Sequence, residues 1–275
     1  MEKLKVTVWS EGLPEKEVNA VRSYPNDINN AIADFLKKDP ALEVTVSHLT
    51  MPECGLSQEL LDNTDVLVWW SHLYHDKVTD EAANRVITAV LQRGMGLLLL
   101  HSGLYGKPGQ MLLGKCGAGG KYRECGERSR VWLINRAHPI CEGLEEDWFD
   151  VQNEEMYGEP FGIPTPDDLI FITWYQGGEV LRSGATWNRG AGRVFYLQAG
   201  HEEFPIYSEN KAVQKVITNG VKWLKPTRGP IPIGRGEVDA LEVLNDVPYP
   251  ERLERTKGKI NMRPEPGKYS LGRNH

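Results

Sequence analysis

Gly96-Leu97-Leu98-Leu99-Leu100-His101-Ser102-Gly103 is the stretch on which the fold turns. Four consecutive leucines bounded by glycine put apolar side chains on both sides of an extended backbone. That suits a central strand buried on both faces of a parallel sheet. Open α/β sheets hold their ligands beyond the C-terminal ends of such strands, so His101 is the first side chain to read as chemical. A strand-end histidine can also do no more than bond a loop carbonyl, and the placement of the other histidines weighs against that.

Outward from this strand, the first hundred residues alternate strand and helix. Leu4–Trp9, Glu43–Leu49 and Asp65–Trp70 read as strands. Ile28–Lys37 and Thr79–Gln92 carry apolar residues at helical spacing; Thr79 serves as an N-cap, Asp80 and Glu81 favour the first turn, and Gly94 stops the helix. This rhythm predicts a mostly parallel, doubly wound sheet. Residues 103–129 read as a glycine-rich irregular segment with a short helix near Gln110–Leu113. Arg130–Asn135, Trp148–Val151, Leu169–Trp174, Glu179–Ser183 and Arg193–Gln198 form a later group of strands, and Ala212–Leu224 a closing helix. From 226 on the composition changes, with 7 of the 17 prolines and 6 glycines, yet apolar residues such as Ile231, Leu241, Val243 and Tyr249 persist. The expected organisation is a domain over 1–225 and an extended C-terminal arm over 226–275, packed on its own body or on a neighbouring subunit of a homo-oligomer.

Composition excludes several classes. At 275 residues with 40% apolar and 25% charged residues, this is an ordinary globular chain. A net charge of −6 without any concentrated basic run argues against nucleic acid as a partner. No apolar run approaches the roughly 20 residues of a membrane span, and Met1–Val6 enters a strand with no signal-peptide core, so the cytoplasm is the expected compartment. Cys54, Cys116, Cys125 and Cys141 show no CxxC pair; Cys116 and Cys125 flank the glycine-rich loop. Gly114–Lys121 looks like a phosphate loop but has Lys115 and Tyr122 where GxxxxGK[ST] needs glycine and Ser or Thr. Ser102 lacks the flanking glycines of a Gly-x-Ser-x-Gly nucleophile, since Leu100 and Leu104 stand there.

Polar groups converge instead at one sheet edge. Glu11 follows the first strand, His72 and His75 the third, His101 the fourth, and His201-Glu202-Glu203 the late strand Val194–Gly200. Four of the seven histidines thus lie just past expected buried strands. Neutral imidazoles with a carboxylate suit a divalent metal, zinc first, with His72, His101, Glu155 and His201 as ligands. Glu11, Glu203 and Tyr157 are the expected acid–base groups. Metal-free acid–base work on the same edge is the alternative chemistry. Asn153–Glu159 adds carboxylates, Glu154 among them, and a phenol; Arg123 offers a cation for an anionic or hydroxyl-rich ligand. Trp70, with Trp69, Trp174 and Trp187, offers a face on which a sugar can stack.

These pieces together resemble the ThuA-like (trehalose-utilisation) family: Val6–Trp9, Tyr24-Pro25, Leu60–Trp70, Leu99–Gly103, His138-Pro139-Ile140 with Gly143-Leu144, Glu154–Glu159, Gly178-Glu179-Val180 and Gly200-His201-Glu202. The resemblance spans roughly residues 4–225. It implies a glutamine amidotransferase-like, flavodoxin-like three-layer α/β sandwich. In triad-bearing members of that superfamily a cysteine stands on the strand-four elbow and a His-x-Glu follows a late strand. Here His101 holds the elbow and His201-Glu202-Glu203 keeps the second element, so glutaminase chemistry is not expected. The resemblance also implies a carbohydrate-derived ligand, a keto-sugar being one class. A metal-assisted enzyme on a sugar is the leading expectation; a non-catalytic sugar-binding or assembly protein using the same cleft is the alternative.

Overall fold

Period-two alternation along four central strands sorts their side chains onto two faces, and each face acquires its own helices. The computed structural model describes residues 2–12, 18–114, 117 and 120–231. Strands β1 (Leu4–Ser10), β2 (Leu42–His48), β3 (Val66–Trp70), β4 (Gly96–Leu100), β5 (Lys121–Leu133), β6 (Trp148–Gly158), β7 (Asp168–Tyr175), β8 (Val180–Arg189) and β9 (Gly192–Leu197) form one sheet. Their order is β2-β1-β3-β4-β9-β8-β7-β5-β6. Helices α1 (Val18–Ser23), α2 (Ile28–Leu36), α3 (Gln58–Asp62), α4 (Asp80–Thr88), α5 (Lys107–Leu113), α6 (Ile206–Glu209) and α7 (Lys211–Trp223) connect or close it.

On one face Val66, Val68 and Trp70 of β3, Leu98 and Leu100 of β4, and Phe195 and Leu197 of β9 pack with α2 and α7. On the other, Leu67, Trp69, Leu97, Leu99, Val194 and Tyr196 pack with α4 and α5. The helix ends obey the local rules. Thr79 accepts from the Ala82 N–H at 3.2 Å, and Asn210 from that of Val213 at 3.1 Å. Past α4 the chain makes one π-turn over Ala89–Arg93 before Gly94, at φ 86°, stops it.

The sheet is not mostly parallel. β2, β1, β3, β4 and β9 run parallel, whereas β9-β8-β7-β5-β6 pair antiparallel, with β5 between β6 and β7. The second half of the chain is a run of strands without crossover helices, and such strands can pair only antiparallel through short turns. β5 and β6 are also longer than expected: Lys121–Ser129 and Asn153–Gly158 are strand, not irregular loop. No helix among the described residues is long and apolar enough to cross a membrane. Cys54, Cys125 and Cys141 are free thiols, and Cys116 lies outside the described residues. Of the expected arm only 226–231 are described; Ile231 N–H donates to Gln92 O at 2.6 Å, and the rest lies outside the described residues.

One charged cluster ties β5 to β6. Arg130 on β5 grips Asp150 on β6 with two bonds, 2.7 and 3.0 Å, and its guanidinium lies 3.7 Å over the Trp148 ring. The Arg130 hydrogen bonds hold the Asp150 carboxyl below its usual range. A depressed carboxyl stabilises the fold above its unfolded pKa, and that contribution is lost as pH falls through the folded value. Asp150→Asn is therefore expected to cost on the order of 1 kcal/mol at pH 7. Urea unfolding of both proteins should show the gap closing below about pH 3; a gap independent of pH would refute this assignment.

Candidate metal centre

β3, β4 and β9 lie side by side, so whatever follows each of them meets at one point. His72 follows β3, His101 ends β4 and His201 follows β9. Their ring centroids stand 5.2 Å (His72–His101), 5.1 Å (His72–His201) and 5.3 Å (His101–His201) apart, a nearly equilateral triangle of imidazoles. The turns that aim them are special. His101 sits at φ 52°, a left-handed conformation that a side chain adopts only under constraint. It is the sharp elbow expected from Leu100-His101-Ser102-Gly103. Gly200 turns the chain out of β9 at φ 132°, and a Cβ there would run into the Tyr207 hydroxyl.

Carboxylates surround the triangle. Glu155 Oε2 is 3.1 Å from His101 Nε2 and 3.9 Å from His201 Nε2. Glu202 Oε1 is 2.5 Å from His72 Nδ1, and its other oxygen is 3.8 Å from His201 Nε2. Glu124, half exposed at the rim, comes within 3.2 Å of His201 Nε2. Burial lowers the His101 imidazole, but Glu155, Glu154 and Glu202 outweigh it and raise the ring to about 9. His201 feels burial first and then the charge of His101, and falls to about 4. Burial raises Glu202, yet its bond to His72 and the other rings bring it down to about 2. Glu124 is pushed up by burial and by Glu155 and Glu203.

The cluster fits a metal ion by its unsatisfied atoms. Glu155 Oε2, Glu202 Oε2 and His201 Nε2 are buried and complete no aligned hydrogen bond. Buried polar atoms are ordinarily paired, and a group of unpaired ones at one point is what an ion would explain. Ligand atoms of His72, His101, His201 and Glu202 all lie within 4.8 Å of one another, and those of Glu124, His201 and Glu203 do so as well. Nitrogen and carboxylate donors in this mixture suit zinc and neighbouring divalent ions.

The other expected site residues fall into two groups. Tyr157 belongs to the centre: its hydroxyl is 2.5 Å from Ser102 Oγ and 3.4 Å from His101 Nε2, and its ring stacks on His101. Glu203 is at the rim, and its backbone N–H rather than its carboxylate bonds His201 Nδ1, at 3.2 Å. Glu11 and Glu154 bond backbone N–H groups of neighbouring turns. Glu11 accepts from the backbone N–H groups of His72 (2.8 Å), Leu73 and Tyr74 (3.0 Å). Glu154 accepts from those of Gly200 (2.9 Å), His201 (3.3 Å) and Glu155 (3.0 Å). These bonds take their oxygens to the turns that carry His72 and His201. Arg123 is not a free cation either, since Glu127 and Glu179 bracket it. Trp70 is buried in the core with Nε1 bonded to Gly200 O at 3.1 Å, so it presents no stacking face. Between His72 and His75, the triangle takes His72; His75 instead bonds Ser71 Oγ at 3.1 Å. Glu124 was missed as a site residue, although it neighbours Arg123: adjacent strand residues point to opposite sides.

Fold and site together define a mixed α/β protein with a histidine–carboxylate centre at the C-terminal edge of its parallel strands. The sequence model of the trehalose-utilisation (ThuA) family matches residues 5–224, and the chain belongs to that family. Solved structures agree on the fold. A ThuA-like protein of Bacteroides uniformis is 14% identical, with a TM-score of 0.57 over 83% of this chain and 95% of the other. One from Parabacteroides merdae is 13% identical, with a TM-score of 0.60 over 82% and 92%. A cytoplasmic protein of Salmonella typhimurium is 13% identical, with a TM-score of 0.51 over 82% and 100%. No curated protein matches the sequence.

The role of Glu11 is open to test. Removing its carboxylate strands three backbone N–H groups in a partly buried loop, each of which costs about 1–3 kcal/mol when left unmade. Glu11→Ala should lower stability by about 2–4 kcal/mol, and Glu11→Gln, which keeps one acceptor oxygen, should lose less. Chemical denaturation measures both; an Ala variant as stable as the parent would return Glu11 to the role of a free base.

Proposed function

We propose that this protein is a metal-assisted enzyme acting on a sugar or keto-sugar, with a divalent cation, zinc first, held among the three imidazoles and their carboxylates. The triangle of His72, His101 and His201, with unsatisfied buried atoms of Glu155, Glu202 and His201 at its centre, carries this reading. A bound divalent ion supplies a Lewis acid for a carbonyl or hydroxyl oxygen. The chain's own groups supply the proton traffic. Tyr157 and Ser102 share one short hydrogen bond beside His101, which places a hydroxyl proton at the buried side of the centre. Glu124 stands at the rim, where its neighbours favour the protonated form, and Glu203 shares that rim. Both suit proton exchange with a ligand entering from solvent.

The sugar as substrate rests on the family description, trehalose utilisation, and on a centre rich in oxygen-seeking groups. A thiol mechanism has no support, because the elbow residue is His101 and none of the three described cysteines ends a central strand. The same reading takes helices on both faces as a flavodoxin-like three-layer sandwich of the glutamine amidotransferase-like type. It takes the protein as a cytoplasmic homo-oligomer.

Elemental analysis of purified, dialysed protein beside His101→Ala tests the proposal. Near-stoichiometric divalent metal is expected in the parent, with a loss of about tenfold or more in the variant. Turnover of a keto-sugar panel should stop on chelation and return with zinc or manganese. A parent protein that takes up neither ion on titration overturns the proposal. Stoichiometric metal and sugar-induced thermal stabilisation without turnover would leave the non-catalytic binding role.

A further inference from the structure

The three imidazoles look equivalent by position, but their hydrogen bonds make them chemically different. A neutral ring has one N–H and one lone pair, and which nitrogen carries which follows from the fixed partner of the other. Gln198 O, which can only accept, lies 3.2 Å from His101 Nδ1. The Glu202 carboxylate, an acceptor, lies 2.5 Å from His72 Nδ1. Both rings therefore carry hydrogen at Nδ1, and in the neutral form their lone pair is at Nε2. His201 is the reverse. The backbone N–H of Glu203 can only donate, and it does so to His201 Nδ1 at 3.2 Å. Its neutral ring carries hydrogen at Nε2.

We propose that His201 is not a metal ligand but the hydrogen-bond donor of the centre, and that His72, His101 and Glu155 hold the ion. The inference rests on the metal-centre reading above and divides its residues by role. When the ring is neutral, His101 Nε2 and Glu155 Oε2, 3.1 Å apart, present two lone pairs to each other, a place that suits a cation. Glu202 becomes a positioning residue: it fixes the tautomer and tilt of His72, as carboxylates behind metal-bound histidines do. Two imidazoles and one carboxylate leave coordination positions open. His201 Nε2–H is directed among Glu124, Glu155 and Glu202, with heavy-atom distances of 3.2, 3.9 and 3.8 Å. It is placed to donate to a ligand oxygen brought into that space. The oxygen would then be polarised from two sides, by the ion and by an uncharged N–H.

Long-range ¹⁵N–¹H correlation spectra of the full chain, titrated with zinc and assigned with single His→Gln variants, test the division directly. His72 and His101 should show the Nδ1–H pattern with zinc-shifted Nε2, and His201 the Nε2–H pattern. Competition titrations with a zinc chelator give the second readout. His201→Gln should bind zinc within about threefold of the parent, His72→Gln and His101→Gln more than about 100-fold more weakly, and Glu202→Gln about 10–100-fold more weakly. A zinc-shifted His201, or a His201→Gln affinity as poor as that of His101→Gln, overturns this inference while leaving a metal centre in place. Failure of the parent to bind zinc or manganese overturns the metal reading and this division with it. Should His201→Gln fail to fold, the spectrum of the parent alone still decides.

Discussion

An ionised carboxylate in a protein interior costs several kcal/mol unless hydrogen bonds replace its lost water. Backbone N–H groups offset part of that cost for Glu11 and Glu154, whose carboxyls burial still raises, Glu154 to about 7, and those groups belong to the turns that carry histidines. Glu11 leaves β1 and gathers the loop of His72 from β3. Glu154, on β6, reaches under the turn of His201 from β9. The need of the carboxylates for donors and the need of the turn N–H groups for acceptors are settled by the same bonds. The imidazoles are consequently held by strands other than their own, and the centre depends on the order of the whole sheet.

That order also explains the division of labour. The parallel half ends β3, β4 and β9 at a common edge and delivers the histidines there, as open sheets deliver ligand-binding groups. The antiparallel half contributes Glu124 from β5, and Glu154, Glu155 and Tyr157 from β6. β5 and β6 slip register between Arg123 and Glu127 and again before Ser129. A bulge of this kind re-aims side chains. It lets the adjacent residues Glu154 and Glu155 both serve the interior, where a regular strand would send one of them to the opposite face.

The parallel half was legible in the sequence because burial writes itself into composition: Leu97–Leu100 could only be a strand covered on both faces, and Thr79 and Gly94 mark the ends of the intervening helix. The histidines were legible for the same reason, as polar residues just past such strands. What escaped was the antiparallel half. Lys121–Ser129 holds five charged residues and a single glycine and has no apolar period, because much of it is exposed. Gly126 and the glycine-rich sequence before it read as loop, and the bulged register is set by the partner strand, which no local pattern reveals. His-x-Glu spacing pointed to the Glu203 side chain, whereas the turn after Gly200 buries Glu202 beside His72 and sets Glu203 at the rim, with its backbone N–H bonded to His201 Nδ1.

If the centre takes an ion as proposed, its protonation pattern lets it fold before it is filled. With no ion present, a proton between His101 Nε2 and Glu155 Oε2 supplies the cation that these two acceptors require. The neighbouring carboxylates accordingly raise His101 to about 9, while Glu155 falls below its usual range because the ring outweighs its burial. On the proposed reading, the proton and a divalent ion would compete for one position, so metal uptake would exchange a proton for the ion without rebuilding the loops. Those loops are held from behind by Glu11 and Glu154, whose partners are backbone groups. The framework that aims the donors is therefore separate from the donors themselves.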